Sequence, residues 1–161
     1  MTVVADTTPV NYLILIGAID VLPKLYGQVI IPPAVREELT HGHAPATVRD
    51  WIAHPPYWLE VLSPLPVSDA VLAKLDAGER EAIALTEQLS ISEESIQFIV
   101  DEMLGRREAE GRGLSVIGTI GVLRLAADEG LLDLRSVVEQ LRQTSFHISP
   151  AILSRLMDDQ R

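Results

Sequence analysis

Short apolar runs alternate along this chain with stretches where apolar residues return every three or four positions. That alternation is expected of buried parallel strands connected by helices. The run Thr2-Val3-Val4-Ala5 predicts a first strand over about residues 2–6. Thr8 is expected as the N-cap and Pro9 as the first residue of a helix reaching about Ile16. Residues 19–26 read as a second helix ended by Gly27, and Val29-Ile30-Ile31 as a second strand. Pro32-Pro33 open a helix to about Thr40, followed by a polar loop over 41–46 and a helix over 46–53. Residues 58–62 alternate weakly, as an edge strand does. After the connector Ser63-Pro64-Leu65-Pro66, residues 67–75 and 77–89 read as helical. Residues 97–100 and 114–117 predict two more strands around a polar helix to about Arg112. Helices at about 119–129, 134–143 and 150–158 complete the chain, the last capped by Ser149. The fold class is therefore α/β: a mostly parallel sheet covered on both faces. The whole chain, 1–161, is expected to form one domain, with the helices of about 134–158 packed on it or extending it.

Acidic residues recur where strands run into helices. Asp6 follows the first strand, and Asp101 follows Phe98-Ile99-Val100 in the same way. The crevice beyond the carboxyl ends of parallel strands is where ligands bind in such sheets. Glu38 borders the buried stripe Ala34, Val35 and Leu39, whereas Glu37 points further toward solvent. In Asp76-Ala77-Gly78-Glu79-Arg80-Glu81, Asp76 and Glu79 have capping-box spacing, which gives Glu79 a structural purpose. Glu81 has no such purpose and lies beside the apolar stripe Ala82, Leu85 and Leu89, so it is preferred as the ligand, with Glu79 second. Asp101 has the alternative of capping its own helix, and Glu102 is its competitor. Arg106 and Arg107 suit salt bridges to Glu102 and Glu110, or a phosphate contact. Thr119 reads as a helix N-cap, or else as a hydroxyl lining the crevice.

Carboxylates brought together repel one another, and a hard dication such as Mg²⁺ or Mn²⁺ relieves that cost through oxygen ligands. Such a site activates water and stabilises charge on phosphorus, so an acid-only constellation suits phosphodiester hydrolysis. The chain has no cysteine, which excludes disulfides and thiolate ligands. The net charge of −10 makes it a poor general binder of nucleic acid unless cations cancel part of that charge. Eleven of the 13 basic residues are arginine, the side chain suited to bidentate phosphate contacts. No apolar stretch is long enough for a membrane span, and the N-terminus does not read as a signal peptide, so a cytoplasmic protein is expected. His41-Gly42-His43 sits in a solvated loop. Trp51, Trp58 and the tyrosines are too scattered for a stacking platform and read as packing. The segment Gly111-Arg112-Gly113 is not a phosphate-cradling loop.

In Val4-Ala5-Asp6-Thr7-Thr8-Pro9, Val35-Arg36-Glu37-Glu38-Leu39, Gly78-Glu79-Arg80-Glu81-Ala82-Ile83, Val100-Asp101-Glu102 with Gly105-Arg106-Arg107, and Gly118-Thr119-Ile120-Gly121 the chain resembles a PIN domain. It is most similar to a prokaryotic subgroup related to VapC-type toxins. The resemblance implies a three-layer α/β/α sandwich and a ribonuclease using Mg²⁺ or Mn²⁺. Its acidic quartet would be Asp6, Glu38, Glu81 and Asp101, with Glu79, Glu102, Thr119 and Arg106 as auxiliary residues. Two departures accompany it: the third acid is Glu where such nucleases more often have Asp, and the segment 90–95 is longer than usual. By the same resemblance an RNA substrate, an antitoxin partner and a homodimer are expected. The competing expectation is a catalytically silent module that docks a basic protein on its acidic surface.

Overall fold

The computed structural model describes residues 1–158. Its strands are β1 (Thr2–Ala5), β2 (Gln28–Ile31), β3 (Leu59–Val61), β4 (Ile96–Ile99) and β5 (Ser115–Ile117). All pair in parallel, in the order β3-β2-β1-β4-β5. Helices α1 (Thr7–Leu15) and α2 (Val21–Leu25) join β1 to β2, and α3 (Pro33–Thr40) and α4 (Ala46–Ala53) join β2 to β3. The chain then returns through α5 (Ala77–Ser90) to β4, and α6 (Met103–Gly111) leads to β5. Helices α7 (Thr119–Asp128), α8 (Leu134–Arg142) and α9 (Pro150–Asp158) follow. The result is an α/β sandwich around an all-parallel sheet.

Alternation along the strands divides the apolar residues between two layers. Val3, Ala5, Val29, Ile31 and Ile99 face a core that includes Leu13, Val35, Leu123, Val138 and Leu156. Val4, Ile30, Phe98 and Val100 face a second core with Leu72, Ile83, Leu85 and Ala109. Strands buried on both sides read as unbroken apolar runs, which is why β1, β2 and β4 are so plain in the sequence. The C-terminal helices contribute Leu134, Leu141 and Leu156 to the first of these cores. No helix among the described residues is long and apolar enough to cross a membrane.

Strand order reverses at β1, because β2 and β3 lie to one side and β4 and β5 to the other. The ladder sets Ala5 beside Ile99 and Ile99 beside Ile117, so the carboxyl ends of the central strands are level. Asp6 and Asp101 emerge at that edge, at the switch point where such sheets bind ligands.

Four local expectations are corrected. Residues 67–75 form only a 3-10 turn at Leu72–Lys74. There the Asp69 carboxylate takes the N–H groups of Val71 and Leu72, at 3.0 and 3.1 Å, and Leu72 is the one buried apolar anchor in that turn. Helix α1 begins at Thr7 with Asp6 in the N-cap position, not at Thr8, because the Asp6 carbonyl accepts from the Val10 N–H. Pro9 is tolerated in this first turn, where N–H groups lack intrahelical partners. Helix α2 stops at Leu25: Tyr26 is extended, and Gly27 donates its N–H to the Met1 carbonyl at 2.8 Å. Thr119 is the first helical residue of α7, with Gly118 as its N-cap.

Candidate metal centre

Four segments of the backbone deliver acids to one place. Asp6 follows β1 and is 6% exposed. Glu38 comes from the last turn of α3, Asp76 and Glu79 from the start of α5, and Glu102 from the N-cap position of α6. Asp76, Glu79 and Glu102 each offer a carboxylate oxygen within 4.8 Å of the others. Local structure explains part of this. The Asp76 carboxylate caps α5 by accepting the Glu79 N–H at 2.9 Å. The reciprocal half of a capping box is missing: the Glu79 carboxyl instead lies beside those of Asp76 and Glu102.

The electrostatic cost is concentrated on the two buried members. Burial pushes Asp6 up to about 7, the Thr7 N–H opposes the shift, and the charges of Asp76, Glu38 and Glu102 add to it. Glu79, 3% exposed, is pushed up to about 9, first by burial and then by its contacts with Asp76 and Glu102. The charges that act most on Asp6 are those of the three acids. Ion pairs form elsewhere, between Arg112 and Asp69, Glu87 and Glu108, and between Arg142 and Glu139, and none of the clustered acids shares in them.

Two glycines make the space. A Cβ on Gly78 would lie 3.0 Å from Glu38 Oε1, 3.3 Å from Asp6 Oδ1 and 3.4 Å from Thr7 Oγ1. One on Gly105 would lie 2.8 Å from Glu79 Oε2. The Thr7 hydroxyl at this point is buried without a hydrogen-bond partner. An all-oxygen donor set, mutually repelling carboxylates and an orphaned buried hydroxyl fit a hard divalent cation. The acidic residues present could bind such a metal.

The expected acids are distributed as follows. Asp6 and Glu38 meet across Gly78. Glu81 turns elsewhere: its Oε1 accepts the N–H of Ala34 at 3.3 Å, and it borders a separate cavity with Ser63, Pro66 and Asp69. Glu79 is the α5 acid within the cluster. Asp101 accepts the Thr119 N–H on Oδ1 at 2.8 Å and the Thr119 hydroxyl on Oδ2 at 2.6 Å, so it holds the start of α7 rather than capping its own helix. Thr119 is fully buried, and its hydroxyl serves Asp101. Arg106 leans over Gly118 toward Asp101: a Cβ there would lie 2.9 Å from one guanidinium nitrogen and 3.0 Å from Asp101 Oδ1. Asp76 and Thr7 were not singled out as site residues from sequence. The available signal was Asp76-Ala77-Gly78-Glu79, whose helical spacing puts two acids on one side with a glycine between them.

The paired histidines and the two tryptophans meet one another in the structure. His41 and His43 are exposed and stack on one another at 4.9 Å. Trp51 and Trp58 pack together at 5.9 Å against the first core.

Comparison with curated proteins and with solved structures returned no match. A family model described as a PIN domain matches residues 2–160, almost the whole sequence. PIN domains are generally metal-dependent nucleases, which accords with an acidic cluster at the carboxyl edge of a parallel sheet. By the extent of that match and by its five-stranded parallel sandwich, the chain belongs to the PIN-domain family.

Proposed function

We propose that the chain is a Mg²⁺- or Mn²⁺-dependent endoribonuclease, acting as the cytoplasmic toxin of a type II toxin–antitoxin pair and working as a homodimer. The observation that carries the nuclease reading is the convergence of Asp6, Glu38, Asp76, Glu79 and Glu102 around Gly78 and Gly105. The toxin, antitoxin and dimer assignments rest on the resemblance to VapC-type proteins.

In this reading Asp6, Glu79 and Glu102 hold the cation, with Asp76 and Glu38 completing the shell and Asp101 fixed beside them by Thr119. Glu79 takes the place expected for Glu81. The bound cation supplies Lewis acidity to water and to a phosphoryl oxygen. Glu38, exposed at the rim, accepts the proton of the attacking water on a carboxylate oxygen. As the water oxygen bonds to phosphorus, the bond to the leaving ribose oxygen breaks, and that oxygen acquires a proton from solvent. Arg106 approaches the phosphate from the opposite lip and offsets charge that the acids would otherwise repel.

The test is cleavage of single-stranded RNA by the purified chain with Mn²⁺, Mg²⁺ or chelator, beside Asp6→Asn. Metal-dependent cutting lost in the variant, with an unchanged melting temperature, supports the reading. Equal cutting by the variant overturns it. A chain that neither cuts RNA nor melts higher with Mn²⁺ is instead the silent docking module.

A further inference from the structure

A cavity of about 640 Å³ opens beside the acids and includes Asp101 and Glu102 in its wall. Its other walls are Tyr12 of α1, Arg106 of α6, and Ser145, Phe146 and His147 from the segment between α8 and α9. Tyr12 and Phe146 meet edge to face with ring centroids 5.0 Å apart. The hydroxyls of Tyr12 and Ser145, 133 positions apart in sequence, lie 2.6 Å from one another. Aromatic residues scattered along the chain are thus gathered on one wall, next to a guanidinium.

We propose that this cavity seats the nucleotide adjoining the cleaved bond of a single-stranded RNA, an inference that rests on the nuclease reading for its choice of ligand. Arg106 holds the phosphate, the Tyr12–Phe146 wall receives the base, and Ser145 and His147 face the base edge. The volume lies within the roughly 300–1,000 Å³ of small-ligand sites. Aromatic rings beside an arginine are the usual means of holding unpaired bases. Continuity matters too, because Glu102 belongs both to the acidic cluster and to the wall of this cavity. A second cavity of about 590 Å³ shares Thr8 and Tyr12 but is lined by Glu37 and Glu38, by His41 and His43, and by no arginine or lysine. Phosphate is better matched in the first.

The experiment uses the full chain with Mn²⁺ and uncleavable 2′-O-methyl oligonucleotides carrying one photoreactive base. Crosslinks are expected on the peptide containing residues 145–148 when that base adjoins the cut position. Phe146→Leu should weaken binding about ten-fold, raise KM, leave kcat within about two-fold and flatten the preference between bases. His147→Ala, at an exposed position, provides the same readout if Phe146→Leu fails to fold. Crosslinks elsewhere overturn the proposal. So do unchanged affinity and base preference in both variants. The two readings fail separately. Crosslinks at 145–148 without cleavage sink the nuclease and leave a seat for unpaired RNA that serves no cut. Asp6-dependent cleavage indifferent to both substitutions sinks the seat alone.

Discussion

Thr119 binds Asp101 twice, through its backbone N–H at 2.8 Å and its hydroxyl at 2.6 Å. The pair joins the end of β4 to the start of α7 across two chain segments 18 residues apart. An acid that emerges at the ligand-binding edge is thereby fixed in orientation, and the first turn of α7 gains a partner for an otherwise orphaned N–H.

Thr119→Val keeps the shape and the backbone bond but removes the hydroxyl donor. Because Thr119 is fully buried, about 1–3 kcal/mol of stability should be lost. If Asp101 must be held for the proposed chemistry, Mn²⁺-dependent cleavage should fall by roughly 10- to 100-fold, the scale of outer-shell effects on metal sites. Denaturant unfolding and cleavage rates measure the two separately. A stability loss with full cleavage would restrict this bond to holding α7.

Glu79 and Glu81, two residues apart on α5, should respond differently to the same change. Glu79→Gln removes a carboxylate from the group with Asp76 and Glu102. Glu81→Gln alters a group whose contact is the Ala34 N–H. Metal affinity read by Mn²⁺ titration should collapse in the first and stay within a few-fold in the second. The reverse order would remove Glu79 from the proposed shell and restore Glu81.

The strands and most helices could be read from sequence because burial on both sheet faces leaves unbroken apolar runs such as Thr2–Ala5, and because capping residues mark helix starts. Asp6 and Asp101 stand out for the same reason: each follows such a run. The choice between Glu79 and Glu81 depends on how α5 is rotated against α6, which Gly105 permits by leaving room for Glu79 Oε2. A local capping pattern gave Glu79 a purpose and concealed that rotation. Residues 67–75 carry helical spacing, yet Asp69 is committed both to the turn and to Arg112, at 2.9 Å. The meeting of Tyr12 with Phe146 has no local signature at all.

Stability without metal should fall as pH rises. Asp6 moves from 3.8 to about 7 on folding and Glu79 from 4.5 to about 9, both chiefly through burial. Between those limits the folded chain retains protons that the unfolded chain has released, so unfolding free energy declines with pH. The Asp6 part is complete near pH 7, while the Glu79 part continues to about pH 9. Melting curves in chelator should therefore be lower at about pH 8 than at about pH 5.5, and Asp6→Asn should reduce that difference. Added Mn²⁺ should stabilise more at the higher pH, where the acids are ionised. A chelated protein that melts higher at the alkaline end would contradict the assigned burial of these two groups.

Gly78→Ala sets helix propensity against the site. Within a helix, alanine is favoured over glycine by roughly 1 kcal/mol. Here the new methyl would stand 3.0 Å from Glu38 Oε1, 3.3 Å from Asp6 Oδ1 and 3.4 Å from Thr7 Oγ1. Glu38 is the exposed and flexible neighbour, so it should swing away, while buried Asp6 has less freedom to move. The fold should survive with a melting temperature equal to or above that of the parent, and Mn²⁺ affinity should drop about ten-fold or more, as for loss of a supporting contact. Calorimetric titration and thermal melting on the same sample decide it. Undiminished Mn²⁺ binding would place the cation away from Gly78 and dissociate Glu38 from the shell.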